Sequence, residues 1–360
     1  MMINLSIFTY RYMKFTLPER LKLLQKIAQK TEDNGYRQLN LPLTYSGTVM
    51  ARKFPLLEND SINIIIMIRG MDASMTGQLT STGLNAVMIA VEAGGMASAE
   101  NTAKFGSINF VNKTVDETLE YFSKMYKKPI KLNKLGIASF SGGFGALGKI
   151  LEERNKSKYP ISSVYNFDGM HYSKRVKDET GKMHFEADPS QLAPWKSFAE
   201  EAAKDPSKQM VVVYTAIEPG SYVGNSTTAA YLNNEIGADK YQVQSQWKST
   251  QPLSVASKGG YAAYQLYDKN SKLPGGAQHV KSNEAKFDVF SMVAPTWNSV
   301  NAPQKPIAEL EKMKPDDKAK VNNEAVKPQY QGSASKSQTE SSGQESEMAQ
   351  LIADIAKSII

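Results

Sequence analysis

A serine, an acid and a histidine, met in that order along the chain, are the residues of this sequence whose types and spacing could do chemistry. Ser141 lies in Leu135-Gly-Ile-Ala-Ser-Phe-Ser-Gly-Gly-Phe-Gly-Ala-Leu147, where an apolar run that reads as a strand meets a small-residue segment that reads as a helix. A serine on such a sharp turn has its hydroxyl held clear of the backbone, and small neighbours two residues to either side, here Ser139 and Gly143, let strand and helix approach closely. The amides at the helix start, beginning with Gly142, face the space in front of Ser141 and suit a developing negative charge. Asp168 follows a further short strand pattern and His279 the last one. Nucleophilic catalysis by serine needs an imidazole to take its proton and a carboxylate to orient that imidazole and stabilise it when charged. A phosphate-binding loop is the rival reading of Ser-Gly-Gly, but no Gly-Lys-Ser/Thr follows; Lys149 falls inside the expected helix.

To bring the three together the chain must end several strands side by side. Ile62–Ile68, Ala86–Val91, Leu135–Ser139, Val164–Phe167, Gln209–Thr215 and Gly260–Tyr267 read as strands. Val115–Tyr126, Trp195–Lys204, Thr227–Ile236 and a segment through Phe287, Phe290 and Met292 read as helices. The strands are continuously apolar and alternate with helical patterns. That predicts a three-layer α/β/α sandwich around a mainly parallel sheet, with ligands bound just past the C-terminal ends of strands. The Gly275-Gly-Ala-Gln-His279 segment reads as a loop that lends the histidine mobility.

The expected division is an N-terminal extension over 1–54 with an amphipathic helix at 19–34, an α/β domain over 55–299, and a flexible tail. In that tail, 300–347 is a low-complexity linker rich in Lys, Gln, Ser, Asn and Pro. Residues 348–360 place Met348, Leu351, Ile352, Ile355 and Ile359 on one helical stripe, suited to docking on a protein partner or back onto the domain.

With no cysteine among 360 residues, disulfides, thiolate metal sites and a cysteine nucleophile are excluded. Three histidines (His171, His184 and His279) make a multi-histidine metal centre improbable, and the chemistry above needs no metal or organic cofactor. The net charge of +7 invites a nucleic-acid reading, yet the basic residues are scattered among acids and no recognition motif accompanies them. No apolar run approaches the ~20 residues needed to span a bilayer. The first residues lack the pattern of a signal peptide, so the expected location is the cytoplasm.

Together, Ile-Met-Ile-Arg69-Gly70, Ser139-Phe-Ser141-Gly-Gly143, Asn166-Phe-Asp168-Gly-Met-His171-Tyr172, Glu218-Pro-Gly-Ser-Tyr222 and His279 resemble the α/β-hydrolase-fold serine hydrolases over roughly residues 55 to 298. The Asp-Gly-x-His and Pro-Gly-x-Tyr segments are similar to those of poorly characterised bacterial members. The resemblance implies Ser141 as nucleophile, His279 as base, and an oxyanion site made by the N–H groups of Gly142 and of Met71, in the loop after Ile62–Ile68. Of two candidate acids, Asp168, a short carboxylate held directly at a strand end, is preferred, with Glu218, after the following strand, as the alternative. That oxyanion loop usually opens with His-Gly and here opens with Arg69-Gly70, so Arg69 is expected to bind an anionic substrate group or to pair with Asp72. His171, Tyr172 and Tyr222 complete the expected substrate-binding set. His171 could equally be a buried histidine bonded to backbone, and His184 a solvated one.

The expected activity is hydrolysis of an ester, less readily an amide, through an acyl-Ser141 intermediate. Two alternatives stand beside it: a catalytically silent binding module that uses its tail, and a cell-envelope hydrolase acting on a polymer. The segment from Tyr172 to Gln191 lies where such enzymes carry a lid. It is polar, with little apolar surface beyond Met183 and Phe185, which disfavours an interfacial lipase and implies an open site.

Overall fold

The computed structural model describes residues 35–300 apart from 54, 58, 95–97, 244 and 245. The expected helix at 19–34 and the tail from 301 onward, including 348–360, lie outside the described residues. In chain order, strands β1 (Tyr36–Leu39), β2 (Thr48–Arg52) and β3 (Ser61–Ile68) lead through helix α1 (Thr76–Ser81) to β4 (Val87–Val91). Helices α2 (Ser98–Phe105) and α3 (Ile108–Tyr126) then lead to β5 (Lys131–Phe140) and α4 (Phe144–Glu153). Strand β6 (Ser163–Phe167), a hairpin of β7 (Ser173–Lys177) and β8 (Met183–Ala187), helix α5 (Pro189–Lys204) and β9 (Gln209–Tyr214) follow. The described chain continues with α6 (Asn225–Ile236), β10 (Asp239–Tyr241), β11 (Ser254–Lys258), β12 (Tyr261–Gln265) and α7 (Gly275–Trp297).

Ten strands form one sheet in the order β1-β2-β4-β3-β5-β6-β9-β12-β11-β10. Its centre, β4-β3-β5-β6-β9-β12, is parallel throughout, and antiparallel strands flank it on both sides. The central strands are buried on both faces, which is why residues 64–68 and 210–214 are apolar without alternation. Ile62, Ile64, Ile66 and Ile68 of β3 pack with residues of α2 to α6, whereas Ile65 and Met67 pack with Leu79 of α1 and the Ala285–Trp297 part of α7. The sheet is therefore the middle of three layers, as the sequence predicts.

Local signals account for the helices. Ser107 caps α3 by accepting from Phe110 N–H at 3.2 Å, and Asp188 caps α5 by accepting from Ser190 N–H at 3.0 Å with Pro189 beside it. The C-terminal end of α7 is pinned by Trp297. Its ring lies against Gly136 of β5, where an added Cβ would sit 2.9 Å from it, and its Nε1 donates to the Tyr165 hydroxyl at 3.0 Å. Gly136 is thus the notch that seats α7 on the sheet and sets where the start of that helix projects.

Register explains the site. Ile68 of β3 pairs with Ser139, Phe140 of β5 with Phe167, Phe167 of β6 with Val213, and Tyr214 of β9 with Gln265. Arg69, Ser141, Asp168 and Thr215 consequently emerge along one edge of the sheet.

Two expectations change. The sheet begins at Tyr36, because β1 and β2 extend it ahead of the boundary expected at residue 55. Gly275-Gly-Ala-Gln-His279 is the first part of α7 and not a loop; Pro274 precedes it, and the two glycines fall at the helix start, where their entropic cost is smallest. The Tyr172–Gln191 stretch contains the β7–β8 hairpin, which pairs with itself and stays outside the main sheet. Its Met183 is exposed, in keeping with the lack of an apolar underside.

Candidate active site

Ser141 opens the tight turn between β5 and α4 with φ 49°, in the left-handed region that non-glycine residues seldom occupy. Arg69, Asp168 and Met170 share that region at φ 69°, 47° and 69°, so four unusual backbone residues gather at this edge. Such conformations cost on the order of 1–3 kcal/mol each and persist only where surroundings enforce them. Gly143 is one enforcer, since a Cβ there would collide with the Ile68 carbonyl of β3. Asn166 is another: its Nδ2 donates to Ser139 Oγ at 3.0 Å while its Oδ1 accepts from Gly169 N–H at 3.2 Å, tying the serine strand to the Asp168 turn.

Asp168 is almost fully buried and both of its oxygens accept hydrogen bonds. Its Oδ1 accepts from Asn225 Nδ2 at 2.8 Å, Thr215 Oγ1 at 2.9 Å and Thr215 N–H at 3.1 Å. Its Oδ2 accepts from His279 Nδ1 at 2.7 Å. Because the carboxylate can only accept, this bond places the imidazole proton on Nδ1 and leaves Nε2 as the basic nitrogen. The His279 ring, about one-third exposed, stacks on Phe140 with centroids 4.6 Å apart and planes 29° apart. Phe140 precedes Ser141, so the stack holds the imidazole beside the serine turn.

Glu218 is exposed and accepts from Ser226 Oγ at 3.3 Å; it makes no bond to His279. Of the two candidate acids, Asp168 is the one in contact with the histidine. Asn225 extends the network, its Nδ2 lying 3.4 Å from His171 Nε2, while His171 Nδ1 donates to the Val223 carbonyl at 3.3 Å. Burial pushes the His171 pKa below its ordinary value, keeping this ring neutral and fixed. Tyr222, 40% exposed, packs edge-on against it with centroids 4.6 Å apart. Tyr172 is placed differently: its hydroxyl donates to Phe144 O at 3.2 Å and lies over Gly148, against Trp195, so it serves to pack α4 on α5. Burial raises its pKa to about 12. His184 is exposed on the hairpin, 3.1 Å from Glu186.

In the loop after β3, Met71 is buried and its N–H finds no acceptor among the described residues. Gly142 is buried at the start of the turn into α4. Gly70, at φ 80°, cannot carry a side chain, because a Cβ would lie 2.8 Å from Phe140 and 2.7 Å from Asn283 Oδ1. The expected Arg69–Asp72 pair does not form. Arg69 reaches Glu92 at 3.4 Å, and Asp72 instead caps the following turn by accepting from Ser74 N–H at 2.7 Å. The Ser74 hydroxyl, donating at 2.5 Å, and then that N–H hold the Asp72 carboxyl below the usual range.

Sequence reasoning missed Asn166, Thr215, Asn225, Asn283 and Lys286, which support the site without doing its chemistry. The signal available for the first two was their position at strand ends. Among the described residues no group of three or more His, Asp or Glu is arranged to hold a metal ion. No helix among them is long and apolar enough to cross a membrane.

The sequence matches no protein-family model and no curated protein. Solved structures of related shape include an arylesterase, 13% identical, with 79% of this chain and 96% of that chain covered and a TM-score of 0.37. An acetyl xylan esterase from Aspergillus awamori is 10% identical, with 71% and 99% covered and a TM-score of 0.35. A bacterial heroin esterase is 11% identical, with 77% and 92% covered and a TM-score of 0.34. The fold rests on the chain's own topology: a parallel centre ordered β4-β3-β5-β6-β9-β12, antiparallel β2 beside it, the serine turn after β5 and the histidine helix after β12. This is the α/β-hydrolase fold.

Proposed function

We propose that the protein is a serine hydrolase of carboxylic esters. The observation that carries this reading is the 2.7 Å bond from His279 Nδ1 to the buried Asp168, with the imidazole stacked on the residue that precedes Ser141. In the first half-reaction Ser141 Oγ attacks the ester carbonyl carbon while His279 Nε2 takes the hydroxyl proton. The N–H groups of Gly142 and Met71 receive the carbonyl oxygen as it becomes an oxyanion. Collapse breaks the bond to the alcohol, which leaves with the proton from His279, and Ser141 is acylated. Water then attacks the acyl carbon, His279 again serving as base, and the acid leaves with Ser141 restored. Asp168 keeps the Nδ1–H tautomer and stabilises the imidazolium without taking its proton.

Tyr222 and His171 supply an aromatic wall beside Phe144. The polar β7–β8 hairpin suits water-soluble esters over an interfacial substrate. Arg69 is engaged by Glu92, so recognition of an anionic group through Arg69 is not part of this reading.

Turnover of short-chain p-nitrophenyl esters by the full chain tests the reading. Wild-type turnover should fall at least about 10⁴-fold in Ser141→Ala and in His279→Ala. Folded wild type with no turnover contradicts it and favours a silent binding module; turnover that survives Ser141→Ala contradicts it by removing Ser141 as the nucleophile.

A further inference from the structure

The Gly70–Met71 peptide has a partner on its carbonyl side that the mechanism above leaves unused. Helix α7 carries His279, Asn283 and Lys286 at spacings of four and three residues, which puts them along one helical face. Lys286 is fully buried, a rare position for lysine. Its Nζ donates to Gly70 O at 2.6 Å and to Asn283 Oδ1 at 2.8 Å, and lies 4.7 Å from the Phe287 ring centroid. Asn283 Oδ1 in turn occupies the space that a Gly70 side chain would need.

The consequence follows from peptide geometry. A trans peptide is planar, so its C=O and the next N–H point in opposite directions. A donor fixed on Gly70 O therefore sets the direction of Met71 N–H, and a hydrogen bond at the oxygen polarises the peptide and strengthens the N–H as a donor.

We propose that Lys286 is a positioning residue for the oxyanion site: through Gly70 O it locks and polarises the Gly70–Met71 peptide, so that one helix aims both the base and an oxyanion donor. This rests on the esterase reading and on Met71 as a donor in it. Burial pushes the Lys286 pKa down to about 7 against the pull of Asp72, from the loop, and Glu284, from the same helix. Ammonium and amine forms both keep N–H groups enough for Gly70 O and Asn283 Oδ1, so the clamp holds across neutral pH. Removing one oxyanion donor outright costs about 10²–10³ in kcat in other serine hydrolases; a donor present but no longer fixed should cost less.

The test is Lys286→Met, which keeps length and removes the donor, with Asn283→Ala as a milder variant that loses only one anchor. Each is assayed in the full chain with an ester substrate and with an alkyl boronate, which places an anionic oxygen in the oxyanion site. For Lys286→Met the expected result is kcat lower by roughly tenfold, KM within about twofold of wild type, and boronate affinity lower in step with kcat. Asn283→Ala should follow the same pattern at smaller size. A purely structural role would lower the melting temperature and the active fraction without weakening the boronate relative to the substrate. Unchanged kcat and boronate affinity in Lys286→Met overturn the proposal; if that variant does not fold, unchanged values in Asn283→Ala do so. These outcomes leave the esterase reading standing, whereas a wild type without turnover removes that reading first.

Discussion

On the side of Ser141 that carries the proposed base, the contacts run mainly between side chains; on the proposed oxyanion side the atoms that matter belong to the backbone. Asp168 is fixed by Thr215, Asn225 and His279 together, so no single neighbour decides its position. The Gly70–Met71 peptide is fixed by the fit of Gly70 against Phe140 and by one hydrogen bond, from Lys286. The first arrangement is redundant in position yet depends wholly on its chemical groups. The second tolerates changes of side-chain chemistry at Met71, because any residue but proline has the N–H, and depends on geometry imposed from α7. Losses on the base side should therefore be large and specific to group chemistry, and losses on the oxyanion side smaller and mechanical.

Asp168→Asn breaks the comparison most strongly. It keeps shape but loses the acceptor that selects the His279 tautomer, so kcat should fall by roughly 10³–10⁴, while Glu218→Gln should stay within about twofold. Steady-state kinetics on one ester at one pH separates the two. A large loss in Glu218→Gln with little in Asp168→Asn would move the acid to the other strand end.

The roughly tenfold effect on kcat expected of Lys286→Met comes next in size, and the gap between it and Asp168→Asn is the measure of the difference between the two sides. The smallest effect is on stability. The folded pKa of Lys286, lowered to about 7, lies below the unfolded value of about 10.4, so between them the unfolded chain binds more protons and stability rises with pH. The burial penalty is full below pH 7 and disappears toward pH 10.5. Lys286→Met removes it. Its melting temperature relative to wild type should be higher at pH 6 than at pH 9, by about 2–6 °C. A pH-independent difference would mean that the lysine is not desolvated in solution.

The same contrast decides what the sequence discloses. Parallel strands such as β3 and β9 are buried on both faces, so the apolar runs at 64–68 and 210–214 stand out from their neighbours. Strand β1 reads Tyr-Arg-Gln-Leu and β10 Asp-Lys-Tyr; at the two ends of the sheet no pattern marks them, and the N-terminal boundary falls too late. Ser141 and His279 stand out in the sequence because the chemistry proposed for them has few substitutes and a serine turn demands small neighbours. The sequence favours Asp168 over Glu218 only by a narrow margin, since both follow strands; the fold brings Asp168 to the imidazole. The Gly275-Gly276 pair reads as a loop because glycine carries little helical propensity; its place at a helix start is a tertiary outcome, with α7 seated through Trp297 in the Gly136 notch. Arg69 could not be paired from sequence, for its partner Glu92 follows a neighbouring strand in space. Lys286 is the least legible, a lysine in a helix whose burial depends on the loop from β3.

The central claim is that Ser141 is an activated nucleophile. The most direct measurement is reaction of the intact wild-type chain with a fluorophosphonate, followed by mass mapping of the modified peptide. The account predicts one phosphonyl group, located on Ser141 and absent from both Ser141→Ala and His279→Ala. A folded wild type that takes no label, or a label that maps elsewhere and persists in Ser141→Ala, would contradict it.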